Sequence, residues 1–297
     1  MGQDILMFLA PALRRLLTNF SEWDSLEEIR IRIDRPLVLR TGFTEHGIDS
    51  QGRLCSIRDS YRPSTDDLNR TLQIITKDSW YALEDEIRTG YLTLPGGHRV
   101  GLTGKAILDE GKIKSIRYIN SLNIRISREI KNCADEVMKH IINNGQVYST
   151  LLISPPGCGK TTLLRDICRQ LSDSERQVVI VDERSEIAAC YHGVPQLDVG
   201  LRTDVLDGCP KAEGIRIVLR GMAPQVIVTD EIGHPDDGVA LADIARAGVK
   251  VIASCHGESL LKVRQRTWAQ NNLQVFDKAV ILSRKNGPGT IESVLKV

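Results

Sequence analysis

Residues 150–154 form a short apolar run, Thr-Leu-Leu-Ile-Ser. They lead into Pro155-Pro156-Gly157-Cys158-Gly159-Lys160-Thr161-Thr162 and then Leu163-Leu164-Arg165-Asp166-Ile167-Cys168. A buried strand, a glycine-rich turn and an amphipathic helix in this order commit the surrounding chain to a parallel α/β sheet. The string fits the phosphate-loop pattern GxxxxGK[ST] except at its first position, where Ser154 replaces glycine. Ser154 sits at the strand end, and Pro155 and Pro156 pre-set the turn that follows. Gly157 and Gly159 let backbone N–H groups curl around phosphate oxygens with no Cβ in the way. The helix start adds its partial positive charge. Lys160 is placed to bridge β- and γ-phosphates, and Thr161 to ligate Mg²⁺. The expected nucleotide cradle is therefore Ser154, Pro155, Pro156, Gly157, Cys158, Gly159, Lys160, Thr161 and Thr162.

Four more apolar runs follow the same alternation with helical segments: 178–181, 226–229, 249–254 and 279–283. With 150–154 they predict five buried strands with crossovers, in a domain spanning 133–297 that opens on a helix over 133–144. Residues 1–132 follow another pattern. A helix is expected over 5–19. A strand is expected over 28–39, where Ile29, Ile31 and Ile33 alternate with Arg30, Arg32 and Asp34. A hairpin and loop should fill 41–62. One helix starts at Ser64 or Thr65 and runs to about residue 75, and a second covers 78–89. A turn at 94–98 feeds a strand, a hairpin folds around Asp109-Glu110-Gly111, and 121–126 is a last strand. This is a smaller α+β domain.

Two strand ends carry paired carboxylates. Val226-Ile227-Val228-Thr229 runs into Asp230-Glu231, and the run over 178–181 ends in Asp182-Glu183. The carboxyl ends of parallel strands face the ligand crevice, so Asp230 is the expected Mg²⁺ ligand beside Thr161. Glu231 is the expected group that orients and deprotonates an attacking water. Glu183 or Asp182 is placed to support the metal or the water, or else to pair with Arg184. The run over 249–254 continues into Cys255-His256-Gly257, which puts His256 where a γ-phosphate sensor would stand. Charge developing on a γ-phosphate calls for a cation. Arg220, Arg202 and Arg216 lie between the two acidic strand ends, and Arg99 and Arg125 lie in or beside strands of the first domain.

Composition narrows the class. The 297 residues suit about two domains. The balance of 39 basic against 38 acidic residues leaves a net charge of +1, so no bulk positive field points to nucleic acid. Aromatic residues at 4% are too few for a base-stacking surface. The apolar stretch 5–13 contains Pro11 and falls short of the roughly 18 residues a transmembrane helix needs. Seven cysteines, with no CxxC, read as free thiols of a reducing compartment. A GTPase would need [NT]KxD after the phosphate loop. The nearest string, Thr76-Lys77-Asp78-Ser79, lies before it.

Taken in order, Gly-Cys-Gly-Lys-Thr-Thr, Val-Asp-Glu-Arg-Ser-Glu, Val-Thr-Asp-Glu-Ile-Gly and Ala-Ser-Cys-His-Gly resemble the phosphate loop, acidic box, acidic strand and histidine box of the type II and type IV secretion ATPases. The resemblance is closer to the stage III sporulation protein AA family, over roughly residues 25–290. Carrying segments include Leu94-Pro95-Gly96-Gly97-His98-Arg99-Val100-Gly101 and Arg202-Thr203-Asp204-Val205-Leu206-Asp207-Gly208-Cys209-Pro210-Lys211. The resemblance implies an α/β, RecA-like P-loop ATPase core behind the smaller N-terminal domain. It also implies a cytoplasmic mother-cell ATPase that docks peripherally on a membrane-embedded sporulation complex linking mother cell and forespore. It implies a homo-hexameric ring in which first-domain arginines, mapped onto Arg99 and Arg125, reach a nucleotide in trans. By the same resemblance Glu231 activates water and His256 belongs to the histidine box. Many secretion ATPases carry glycine where Asp230 stands. The expected activity is Mg²⁺-dependent ATP hydrolysis, with Lys160, Glu231, His256, Arg220 and Glu183 as catalytic candidates and no nucleic-acid partner. The alternative is a nucleotide-gated switch or a nucleic-acid-stimulated ATPase.

Overall fold

The computed structural model describes residues 3–42, 44–77, 90–270 and 272–297. The chain divides into two compact units after Arg128. The helix expected over 78–89 lies outside the described residues.

In the first unit the strands are β1 (Leu26–Arg32), β2 (Val38–Thr41), β3 (Thr44–Ile48), β4 (Leu54–Cys55), β5 (Tyr91–Thr93), β6 (Arg99–Asp109) and β7 (Lys112–Arg125). They form one sheet in the order β4-β3-β2-β1-β7-β6-β5, with every pairing antiparallel. Helices α1 (Pro11–Leu17) and α2 (Thr65–Thr76) pack Leu13, Leu17, Leu68 and Leu72 into one core with Ile29, Ile31, Val100 and Ile124 of the sheet. The helix expected over 5–19 is broken. A 3₁₀ turn covers Gln3–Phe8, and Pro11, which has no N–H to give, starts α1 at its first turn. The strand expected over 28–39 is a hairpin of β1 and β2, because Asp34 turns the chain at φ +54 ahead of Pro36. The hairpin at Asp109-Glu110-Gly111 forms as expected. Glu110 and Gly111 both take positive φ, the two-residue turn that suits strand twist.

The second unit opens with α3 (Asp135–Ile141), shorter than the expected 133–144, because the chain reverses at once into the two-strand ribbon β8 (Ile142–Asn143) and β9 (Gln146–Val147). The sheet that follows has seven strands among the described residues, in the order β12-β11-β13-β14-β10-β15-β16. These are β10 (Thr150–Ser154), β11 (Val178–Asp182), β12 (Thr203–Asp207), β13 (Val226–Thr229), β14 (Lys250–His256), β15 (Lys278–Ser283) and β16 (Thr290–Lys296). All pair in parallel except β16, which runs antiparallel to β15. The five expected strands are present. The two beyond them, β12 and β16, are the sheet edges, and their half-exposed residues never make the continuous apolar run of a central strand.

Side chains alternate across this sheet. Leu152, Ile180, Val228 and Ile252 face α3 and the helix α4 (Lys160–Asp173), joining Val137, Leu164 and Ile167. Leu151, Ile153, Val181 and Ile227 face the helices α5 (Lys211–Gly221), α6 (Pro235–Arg246) and α7 (Leu260–Arg264), joining Ile215, Leu241 and Val263. Helices on both faces leave the carboxyl ends of β10, β11, β13 and β14 as the open rim.

The start of α2 is a reciprocal cap. Ser64 accepts from the Asp67 N–H at 3.1 Å while Asp67 accepts from the Ser64 N–H at 2.9 Å. Ser64→Ala should lower the stability of the protein by about 1 kcal/mol, read as a lower denaturant midpoint with an unchanged slope.

Candidate active site

The phosphate loop joins β10 to α4. Gly157 and Gly159 take φ +72 and +81, conformations that glycine adopts at no steric cost, and Gly159 is the cap from which α4 starts. Lys160, the first residue of α4, is buried, and its Nζ folds back over the loop. It lies 3.3 Å from Ser154 Oγ and 3.4 Å from both the Ser154 and Pro155 carbonyls. Its pKa is lowered, chiefly by burial and against the pull of Glu231.

Register then sets the neighbours. Ser154 pairs with His256 across β10 and β14, and Thr229 pairs with Ala253 across β13 and β14. His256 therefore stands between the loop and the acidic strand end. Its Nδ1 is 3.0 Å from Lys160 Nζ and its Nε2 is 3.1 Å from Glu231 Oε1. An ammonium can only donate. Nδ1 is thus the acceptor, and Nε2 carries the proton and donates it to Glu231. The other Glu231 oxygen, Oε2, accepts from Arg184 Nη1 at 2.8 Å. Burial pulls the Glu231 carboxyl up, but Arg184 and His256 outweigh it and hold the group below its ordinary value. Glu231 sits at φ +40, a strained position for a side-chain-bearing residue. Its N–H on Ser254 Oγ (3.1 Å) and the Ile232 N–H on the Ser254 carbonyl (2.7 Å) hold it there.

The two buried aspartates differ. Asp182 accepts from three backbone N–H groups, those of Glu186, Ile187 and Ala188, each at 2.9 Å. The same loop is held from the other side by buried Arg165 of α4, whose Nε donates to the Ile187 carbonyl and whose Nη2 donates to the Glu186 carbonyl at 2.8 Å. Asp182 thus ties the loop that carries Arg184 to the rim and is not left over for a metal. Asp230 is fully buried, and neither carboxylate oxygen has a hydrogen-bond partner among the described residues. Burial and then the Asp182 charge push its pKa up to about 7, against Lys211, whose Nζ is 4.0 Å from Oδ1. A buried carboxylate with both oxygens unsatisfied, at the sheet rim that also carries the phosphate loop, has the donor chemistry of a hard oxygen site such as Mg²⁺. Thr161, the other expected ligand, is half-buried in the first turn of α4.

Glu183 is ion-paired with buried Lys211 at the start of α5. A cleft of about 540 Å³ opens here, lined by Glu183, Arg184, Lys211, Glu231 and Asp237 among others. Arg220 is not brought to the site. It lies in the last turn of α5, which feeds the amino end of β13, and its Nε donates to the Arg216 carbonyl at 3.1 Å. The helix direction places it at the end of the sheet away from the phosphate loop. Arg216 pairs with Asp243, and Arg202 faces Glu175 at 3.7 Å. In the first unit, Arg99 and Arg125 are directly opposed on β6 and β7, so they share a face. The Arg99 guanidinium lies 4.8 Å from the Tyr91 ring centroid. Arg184 and Lys211 are the cations that sequence reasoning did not place at the site. The signal for both was the spacing of Asp-Glu-Arg-Ser-Glu and Cys-Pro-Lys beside strand ends.

Comparison with known proteins gives the family and the fold. Residues 1–296 match the family described as sporulation stage III, protein AA. The chain is 39% identical to stage III sporulation protein AA of Bacillus subtilis (strain 168) over 304 aligned positions, covering 98% of this chain and 94% of that one. Among solved structures, the pilus retraction motor PilT with bound ADP superposes with a TM-score of 0.60 at 14% identity, over 91% of this chain and 79% of that one. The Legionella pneumophila ATPase DotB gives a TM-score of 0.55 at 19% identity, over 86% of this chain and 72% of that one. At these identities the likeness is one of fold, and the fold is the RecA-like core of such ATPases.

The Asp230 carboxyl gives a pH signature. Unfolded it titrates near 3.8, and folded near 7. The folded state therefore keeps a proton that the unfolded state gives up. The associated stability is fully present below the unfolded value and is lost as pH rises through about 7. In metal-free protein, Asp230→Asn should raise the thermal midpoint at about pH 8 more than at about pH 4, flattening the profile.

Proposed function

This chain belongs to the family of sporulation stage III, protein AA, and from that premise we propose that it is a Mg²⁺-dependent ATP-hydrolysing motor. The observation that carries the proposal is the contiguous set Lys160–His256–Glu231–Arg184 on the rim beside the phosphate loop. Residues 154–162 hold the phosphates of ATP, with Lys160 on the β- and γ-phosphates. Thr161 and Asp230 are the residues that would hold Mg²⁺, which when bound supplies charge neutralisation on those phosphates.

The chain's own residues account for the rest. Lys160 now shares its ammonium protons among Ser154, Pro155 and His256. A phosphate oxygen is a stronger acceptor than any of these, so ATP draws Lys160 away from His256 Nδ1. His256 can then meet the γ-phosphate only by turning its single N–H, on Nε2, away from Glu231, and that exchange makes it the sensor. Glu231, ionised and held by Arg184, orients the water that attacks. Glu183, paired with Lys211, supports the acidic rim and does not act on the water itself.

Within a homo-hexamer, Arg99 and Arg125 of a neighbouring subunit complete the site. The motor docks on a membrane-embedded complex between mother cell and forespore. Among the described residues no helix is long and apolar enough to cross a membrane.

Glu231→Gln should bind ATP with wild-type affinity and lose roughly 10²-fold or more in turnover, and Lys160→Ala should lose binding. Normal hydrolysis by Glu231→Gln would refute the role given to that carboxylate. Turnover per subunit should climb with protein concentration as hexamer-sized particles appear by light scattering. Flat turnover from a monomer would remove the shared site.

A further inference from the structure

The turn between β15 and β16, Arg284-Lys285-Asn286-Gly287-Pro288-Gly289, lies against the phosphate loop. The Gly289 N–H donates to the Cys158 carbonyl at 2.9 Å. A Cβ on Gly159 would stand 3.3 Å from Pro288 Cβ, and a Cβ on Gly157 would stand 3.4 Å from Arg284 Nη1. A Cβ on Gly289 would in turn stand 3.5 Å from Cδ1 of Leu163 in α4. The turn is itself shaped by local bonds. The Lys285 N–H donates to Ser283 Oγ at 3.1 Å, the Asn286 N–H donates to Thr290 Oγ1 at 3.2 Å, and Gly287 and Gly289 take φ +108 and +86. An exposed guanidinium is therefore held within reach of Gly157 by a constrained turn.

We propose that Arg284 is a nucleotide-binding residue that contacts the α- and β-phosphates from the flank of the loop opposite His256 and Glu231. The inference rests on the reading of residues 154–162 as an ATP cradle. Strand order carries the choice of flank. β10 lies between β14 and β15, so His256 and, beyond it, Glu231 stand on one side of the phosphate loop and Arg284 stands on the other. The γ-phosphate belongs to the side with Glu231, which leaves the remaining phosphates for Arg284. The chemistry of the side chain points the same way. Arginine offers a planar fork of donors that two phosphate oxygens can fill together.

The test is calorimetric titration of the full chain with Mg²⁺-ADP, and with Mg²⁺-ATP in the Glu231→Gln background to prevent turnover. Arg284→Ala should weaken both nucleotides by the same factor, roughly tenfold, and Arg284→Gln, which keeps the stem, should match it. Arg284→Lys should recover only part of the loss, because it restores charge without the fork. Unchanged affinities, with wild type binding normally, would overturn the role of Arg284 and leave the cradle standing. Weakened ATP with unchanged ADP would overturn it too, by moving Arg284 to the γ-phosphate. Failure of the wild-type chain to bind either nucleotide would remove the cradle and the inference together.

Discussion

His256 joins two groups that would otherwise face each other across an empty rim. On one side is the buried Lys160 ammonium, on the other the Glu231 carboxylate, and the imidazole touches both. The contact exists because β10 and β14 are hydrogen-bonded neighbours with Ser154 and His256 in register. A shift of one residue in that pairing would turn the imidazole to the other face of the sheet. Donor and acceptor arithmetic then fixes the tautomer, and with it a one-way chain of hydrogen bonds from Lys160 to Glu231. Any ligand that competes for Lys160 is felt at Glu231 through one ring.

Rigidity around this chain comes from Asp182 and Arg165. One gathers three backbone N–H groups of the loop after β11, and the other donates to two of its carbonyls. The loop delivers Arg184 to Glu231, so Arg165, five residues beyond Lys160 on α4, links the phosphate-loop helix to the second cation of the site. Asp230, by contrast, is left with no hydrogen bond on either oxygen. The two aspartates stand at the ends of adjacent parallel strands, yet one accepts three backbone N–H groups and the other accepts no hydrogen bond among the described residues.

Much of this was legible in the chain itself. Central strands announce themselves as unbroken apolar runs, and the phosphate loop, Asp230-Glu231 and His256 were located because each follows such a run. The edges β12 and β16 were not, since half-exposed strands such as Thr203–Asp207 lack that signal. Arg220 looked well placed because it precedes the acidic strand closely. The direction of α5 puts it at the wrong end of that strand, a fact of topology that linear proximity hides. Arg184 was misplaced for another reason: sequence offers its neighbours Asp182 and Glu183 as partners, and only the captured loop delivers it to Glu231 instead. The proline at position 11 broke a helix whose apolar pattern alone reads as continuous.

The central claim is that His256 is a neutral, Nε2-protonated bridge that ligand binding at Lys160 breaks. Nitrogen-15 spectra of the imidazole in the full chain, assigned with a His256→Gln control, test it directly at neutral pH. Without nucleotide, Nδ1 should resonate as a hydrogen-bonded acceptor and Nε2 as a protonated nitrogen. Addition of Mg²⁺-ADP should move the Nδ1 signal as Lys160 leaves. A ring protonated at Nδ1, or an Nδ1 signal indifferent to nucleotide that demonstrably binds, would contradict the account.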